Sequence, residues 1–373
     1  MLFARELGIG GSERQLTEIA KALDKNWFSV HVGYFRDGMR GGELAEAGVA
    51  LCKFDVNSFR TPAAFREARK LGRYLQDHAI QIVHTFDYPL TCFAVPIARV
   101  FQVPVVLSSQ RGSRGLIPSF YRRLVRTTDL LVDGIVTNCR ALETQLIREE
   151  NLPRRLVHVC YNGINSAQYP KLQLCEHCRP ITIGCVSVFR PEKNLPLLLE
   201  VVASLVAQFP QIHLLLAGRG SEEGRIRELA DRLRITNCLT ILPAQEEILT
   251  VLEKIDIFVL PSTTEALSNS LMEAMTCGLA VIASNVGGTP ELIQHGQNGL
   301  LFESNNTTDL KQQIAKLLLD AGLRRRLGEA SRKTIIERFS IEQSACRMAE
   351  MYQELLEQKG VNIIGAKPAP PAR

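Results

Sequence analysis

Two glutamates eight residues apart stand in the segment Pro261-Ser262-Thr263-Thr264-Glu265-Ala266-Leu267-Ser268-Asn269-Ser270-Leu271-Met272-Glu273. The segment follows the apolar run Ile257–Leu260, which reads as a strand, so Glu265 falls in a loop and Glu273 about one turn into a helix. That spacing lets one carboxylate reach a sugar and the other a second hydroxylated ring, while the amides of Asn269, Ser270 and Leu271 point at whatever lies between. A nucleotide sugar has its parts in that order. The plainer reading is a loop acid followed by a glutamate that favours the helix dipole.

A second group of charges follows the run Ile181–Val188, where Phe189-Arg190-Pro191-Glu192-Lys193-Asn194 places two cations past the carboxyl end of a strand. Open α/β sheets bind ligands there, and two fixed cations suit a diphosphate leaving group, although solvated loop charges have the same spelling. Near the start, Gly8, Gly10 and Gly11 lead from a short strand into a helix with Ser12 and Glu13 in its first turn, an arrangement that brings backbone close to an anion. Glu13 occupies the place of a third dinucleotide-motif glycine, and no acid ends the second strand at Tyr34–Phe35, so a nicotinamide cofactor is disfavoured. His84 ends the run Ile80–His84; alone, such a histidine is more often structural.

The elements that must hold these groups alternate in type. Phe28–Tyr34, Ile80–His84, Pro104–Ser108, Gly134–Thr137 and Val157–Tyr161 read as strands, with helices over Ser12–Leu23, Pro62–Asp77 and Ala141–Glu150. After an aperiodic stretch the alternation restarts with strands over Ile181–Val188, Ile212–Ala217, Leu239–Leu242, Ile257–Leu260 and Ala280–Ala283, and helices over Leu195–Gln208, Gly224–Leu233 and Ser270–Cys277. The expected class is α/β, with two doubly wound domains facing a central cleft. The expected organisation is a first Rossmann-like domain over residues 1–165, a linker over 166–180, a second Rossmann-like domain over 181–340, a terminal helix over 341–359 and a disordered tail over 360–373.

The 373 residues are 46% hydrophobic and 22% charged, which excludes a disordered or mini-protein scaffold. No apolar run reaches the roughly 18 residues of a membrane span; the best, from Pro89 to Leu107, contains Pro96, Arg99, Gln102 and Pro104. Ten scattered cysteines without a signal-peptide pattern predict reduced thiols in a cytoplasmic protein. Residues 1–170 hold 22 Lys/Arg against 16 Asp/Glu, so the positive surplus lies in the first half. Arg99, Arg111, Arg114, Arg122, Arg123 and Arg126 form a stretch without any acid, and with Phe120 and Tyr121 they are candidates for contact with a phosphorylated lipid-linked acceptor or an anionic membrane. Carboxylate partners from elsewhere are the alternative. Nucleic acid is not expected, because the aromatics form no stacking series. Cys175-Glu176-His177-Cys178 is one ligand pair where a closed zinc site needs four ligands, so no metal is expected there; nor does an Asp-x-Asp pair near the acids point to a divalent ion.

With these landmarks in order, the sequence resembles the retaining glycosyltransferases of family 4. They are Gly10-Gly11-Ser12-Glu13-Arg14, Asn162-Gly163-Ile164, Arg190 with Lys193, the Glu265/Glu273 pair, and Gly287-Gly288-Thr289-Pro290-Glu291. The resemblance implies the GT-B fold of two Rossmann-like domains and a nucleotide-diphosphate sugar as donor substrate, with no further cofactor. It also implies roles: Arg190 and Lys193 on the diphosphate, Glu265 on the transferred sugar, Glu273 on the ribose, Gly10 and Gly11 closing the site, and His84 at its sugar-facing edge. Ala266 stands where many relatives have glycine. The implied activity is sugar transfer to a glycan or lipid-linked acceptor in cell-surface polysaccharide or glycolipid synthesis, peripheral on the inner face of the membrane. A nucleotide-sugar-binding protein without activity and a sugar-nucleotide epimerase are the alternatives. A covalent intermediate and a front-face route both retain configuration, and the resemblance favours the latter.

Overall fold

The computed structural model describes residues 1–56, 59, 61–172, 180–245 and 247–361. The Cys175–Cys178 motif, residues 173–179 of the linker expected over 166–180, and the tail beyond residue 361 lie outside the described residues. These residues form two compact units: Met1–Gly163 with the chain from Ile341 onward, and Ile164–Ser340.

The first unit is built on a parallel sheet of seven strands: β1 (Leu2–Glu6), β2 (His31–Arg36), β3 (Ala50–Lys53), β4 (Ile82–Thr85), β5 (Val105–Gln110), β6 (Gly134–Thr137) and β7 (Val157–Val159). Its order is β3-β2-β1-β4-β5-β6-β7, so the winding reverses between β1 and β4. The register there is Leu2↔His84 and Phe3↔Thr85. Every residue of β4, β5 and β6 is buried, as expected where helices cover both faces of a parallel sheet.

The second unit repeats the plan with six parallel strands: β8 (Ile181–Val186), β9 (Ile212–Ala217), β10 (Leu239–Leu242), β11 (Ile257–Leu260), β12 (Ala280–Ser284) and β13 (Leu300–Phe302). The order is β10-β9-β8-β11-β12-β13, which reverses between β8 and β11. One core joins Ile183, Cys185, Val259 and Ile282 of the sheet to Leu198, Val202 and Leu205 of the helix Leu195–Val206 and to Leu310, Ile314 and Leu317 of the helix Thr307–Leu319.

Local chemistry sets the element limits. The expected strand from Phe28 starts only at His31, because the amides of Trp27 and Phe28 both turn back onto the Asp24 carbonyl at 3.0 and 2.9 Å. The expected strand to Val188 ends at Val186, since the Phe189 amide leaves the sheet for the carbonyl of Arg219 at 2.9 Å. Helix Tyr88–Val100 begins where Asp87 accepts the Leu90 amide at 3.1 Å. Asp320 likewise receives the Leu323 amide at 2.8 Å and divides the helical end into Thr307–Leu319 and Ala321–Arg338. The last described helix, Ile341–Gln358, belongs to the first unit, burying Ala345, Met348, Tyr352 and Leu355 with Leu16 and Ile19 of the helix Gly11–Ala22.

Candidate functional site

Ligands of doubly wound sheets sit past the carboxyl ends of the strands that flank the reversal. In the second unit those ends lead into the loop 187–194 after β8 and the loop 261–268 after β11, which hold the cations and the first glutamate. Lys193 Nζ lies 2.5 Å from Glu265 Oε2, and the same oxygen accepts a 3.1 Å hydrogen bond from Ser262 Oγ. Both side chains are largely shielded, at 19% and 13% exposure, so each charge is held in place with little screening.

The surrounding backbone fixes that pair. Thr263 donates its amide to the Glu192 carbonyl at 2.8 Å, which ties the two loops together, and Asn194 closes the cation loop in the left-handed conformation with φ +49°. On the other side, the loop 285–288 after β12 packs so closely that a Cβ on Gly287 (φ +52°) would stand 1.7 Å from the Glu265 carbonyl oxygen. The Gly288 amide donates to the Ala266 carbonyl at 3.1 Å. Ala266 itself is buried at this junction. A third glycine contact supports the cation loop: a Cβ on Gly220 would stand 2.1 Å from the Phe189 carbonyl. Sequence reasoning missed Gly218-Arg219-Gly220, although two glycines one residue apart directly after β9 were a legible signal.

The other expected donor-site residues take different places. Arg190, 61% exposed, reaches only Glu192 among the described residues, at 3.8 Å. Asn269, Ser270 and Leu271 form the first turn of the helix Asn269–Thr276, whose cap Ser268 accepts the Leu271 amide at 3.4 Å. Glu273 is buried, at 1% exposure, and accepts a 3.4 Å hydrogen bond from the Tyr169 hydroxyl. The structure thus joins Lys193 to Glu265 directly, while Glu273 engages Tyr169. Tyr169 carried no signal of its own in the sequence.

In the first unit the equivalent loops are 7–10 after β1 and 86–87 after β4. A Cβ on Gly10 would stand 2.2 Å from Glu13 Oε2, so the space its missing side chain leaves admits that carboxylate, and Gly11 starts the helix Gly11–Ala22. Burial raises the pKa of Glu13 above its ordinary value. Gln15 and Gly163 exchange two hydrogen bonds of 2.9 Å, which joins the first loop to the Asn162-Gly163 turn. The carboxyl of Asp87 accepts the Arg5 and Leu90 amides, and burial pushes its pKa up to about 6.

Two expectations need correction here. His84 does not present an edge to a sugar: it is fully buried, its Nδ1 2.6 Å from the Tyr352 hydroxyl and its Nε2 2.8 Å from Ser109 Oγ. Burial lowers its pKa to about 3, so it is a neutral core residue. Nor do the arginines form one exposed surface. Arg114 is 3% exposed and grips Asp129 with two hydrogen bonds of 2.7 and 2.9 Å, Arg99 pairs with Asp133 at 2.7 Å, and Arg126 pairs with Glu150 at 2.6 Å. Their carboxylates come from beyond the acid-free stretch. Arg111 bonds Asn162 and lies over the Phe86 ring, while Arg122 and Arg123 make no ion pair among the described residues.

Comparisons with known proteins follow the same division of the chain. A family model described as Glycosyltransferase Family 4 matches residues 9–168, and one described as Glycosyl transferases group 1 matches residues 177–334. N-acetyl-alpha-D-glucosaminyl L-malate synthase of Bacillus anthracis is 31% identical over 211 residues, covering 55% of this chain and 55% of that protein, so the chain spans about half the length of this relative. An uncharacterised glycosyltransferase of Methanocaldococcus jannaschii is 26% identical over 314 residues, covering 80% and 83%. The crystal structure of Anabaena HepE in complex with UDP and glucose superposes with a TM-score of 0.82 at 20% identity, over 94% of this chain and 98% of that one, and shows the same fold. With both units matched and each carrying its Rossmann-like sheet, the chain belongs to glycosyltransferase family 4 and has the GT-B fold.

Proposed function

We propose that this protein transfers a sugar from a nucleotide-diphosphate donor to a glycan or lipid-linked acceptor, with retained configuration, in cell-surface polysaccharide or glycolipid synthesis. The carrying observation is the 2.5 Å Lys193–Glu265 pair on the loops that follow β8 and β11. In this reading Lys193 is the cation for a diphosphate and Glu265 the carboxylate for a sugar hydroxyl, and their adjacency suits a nucleotide sugar. The fold shared with a structure holding UDP and glucose supports a uridine donor.

In this reading the bond between the anomeric carbon and the diphosphate oxygen breaks, and its electron pair stays on the diphosphate. The acceptor oxygen bonds to the anomeric carbon, and its proton passes to a phosphate oxygen. Negative charge on the leaving group grows toward the transition state, so Lys193 and Arg190 stabilise that state more than the bound donor. The amides of the first turn, Asn269 to Leu271, act in the same sense. Glu265 orients the sugar, Glu273 receives the ribose by exchanging its Tyr169 contact, and Gly10 and Gly11 keep the first unit's loop narrow.

The test is donor turnover of the Glu265→Gln variant, with intact-mass analysis of wild type incubated with donor. Activity of the variant should drop on the order of 100-fold or more, and wild type should carry no glycosyl-enzyme adduct. Full activity in the variant would overturn the role of Glu265, and an adduct would replace the front-face route by a covalent one.

A further inference from the structure

Arg111 is a partly shielded cation with no carboxylate at ion-pair distance among the described residues. It directly follows β5, is half-buried, and makes no ion pair among the described residues; its guanidinium bonds the neutral Asn162 side chain and lies 5.3 Å above the centre of the Phe86 ring. Burial lowers its pKa to about 10, the direction of a cation short of compensation. A charge removed from water is costly unless something pairs with it, and among the described residues one hydrogen bond, a ring face and the Glu13 carboxylate, beyond ion-pair distance, offset it. Arg114, three residues on, has its two-pronged Asp129 partner and needs nothing further.

The neighbouring strand supplies a second unmet group. Asn138 directly follows β6, is 2% exposed, and its Oδ1 has no hydrogen-bond partner among the described residues. Gln110 pairs with Thr137 in the sheet, so Arg111 and Asn138 each stand one residue past paired positions on adjacent strands. The next strand continues the row, because the Cys160 amide bonds the Thr137 carbonyl at 2.8 Å and Asn162 follows two residues later. Three adjacent strand ends therefore present a cation with spare N–H donors, an unmet buried acceptor, and an amide that steadies the cation.

We propose that these strand ends of the first unit bind the acceptor, and that the acceptor is a hydroxylated anion. Its carboxylate or phosphate lies against the free edge of the Arg111 guanidinium, and one of its hydroxyls donates to Asn138 Oδ1. An arginine fork recognises either anion through paired N–H groups, so the two share one chemistry at this position. The proposal rests on the transferase reading, and it narrows the acceptor to molecules that carry both a negative group and free hydroxyls.

Arginine-selective labelling with phenylglyoxal, mapped by peptide mass spectrometry on the full-length protein, tests this. Glycerol 3-phosphate and L-malate are the two anionic probes, and glycerol is the neutral control. At about ten times its dissociation constant, an effective probe should slow labelling of Arg111 about tenfold while leaving the exposed Arg123 unchanged. Protection by glycerol 3-phosphate alone identifies a phosphorylated acceptor, and protection by malate alone a carboxylate one. Protection by neither anion, or equal protection by glycerol, overturns the proposal. A calorimetric titration of UDP on the same sample separates this from the donor reading: UDP binding without anion protection removes the acceptor site alone, and protection without UDP binding removes a uridine donor alone.

Discussion

Arg111 and Arg114 lie three residues apart and show how little a residue type says about its role. Arg114 holds Asp129 in a buried fork, and removing Asp129 leaves the arginine's charge facing no carboxylate but that of Glu150, 4.0 Å away, among the described residues. Asp129→Ala should therefore cost about 3–5 kcal/mol of unfolding free energy in denaturant titration. A loss below 1 kcal/mol would mean that Arg114 finds water or another partner. His84 offers a pH-dependent counterpart. Its folded pKa of about 3 lies below the ordinary 6.5, so the unfolded chain binds the extra proton between those values. The contribution of a neutral His84 is complete above pH 6.5 and declines as the pH falls toward 3. Asp87, raised to about 6, works in the opposite sense over part of that range, so the comparison must be between proteins that both keep it. The stability advantage of wild type over His84→Gln should shrink by about 1.4 kcal/mol per pH unit below pH 6.5, and a constant difference would contradict the neutral buried ring.

At the scale of elements, the candidate donor site is a junction of three loops, and its tolerance to change should follow the backbone contacts. Gly287 has a left-handed φ and no room for a Cβ against the Glu265 carbonyl. Gly287→Ala should displace the 265 loop and lower donor turnover at least tenfold, with a lower melting temperature read in the same preparation; unchanged values in both would show that the loop is slack. Much of this architecture was legible beforehand. The runs of β6, β9 and β11, buried throughout except for the half-buried His213, announced their own limits, and Pro62 after Thr61 marked the start of the helix Pro62–Asp77. The edge strands β3 and β13 escaped notice, being four and three residues long with no sustained alternation. Long-range pairing was equally invisible: Asp129 with Arg114, Tyr352 with His84 and Tyr169 with Glu273 meet only once the chain has folded. The Lys193–Glu265 pair could be anticipated as a shared location but not as a contact, because it depends on the Thr263–Glu192 bond between two loops.

At the scale of the molecule, the chain builds one Rossmann-like sheet, leaves that unit at Gly163, builds a second, and returns at Ile341 to finish the first. The returning helix contributes Tyr352 to the core around His84, so the first unit is completed only by the end of the described chain. No helix of the described residues is long and apolar enough to cross a membrane. In the proposed reading, Lys193 and Glu265 form the donor-binding centre of the second unit. The most direct test is a calorimetric titration of UDP-, GDP- and ADP-sugars into wild type and the Lys193→Ala variant. One nucleotide sugar should bind wild type saturably, and the variant should bind it at least about tenfold more weakly, as expected when a charge-assisted contact is lost. Equal affinity in both proteins, or no binding of any donor to wild type, would contradict that reading.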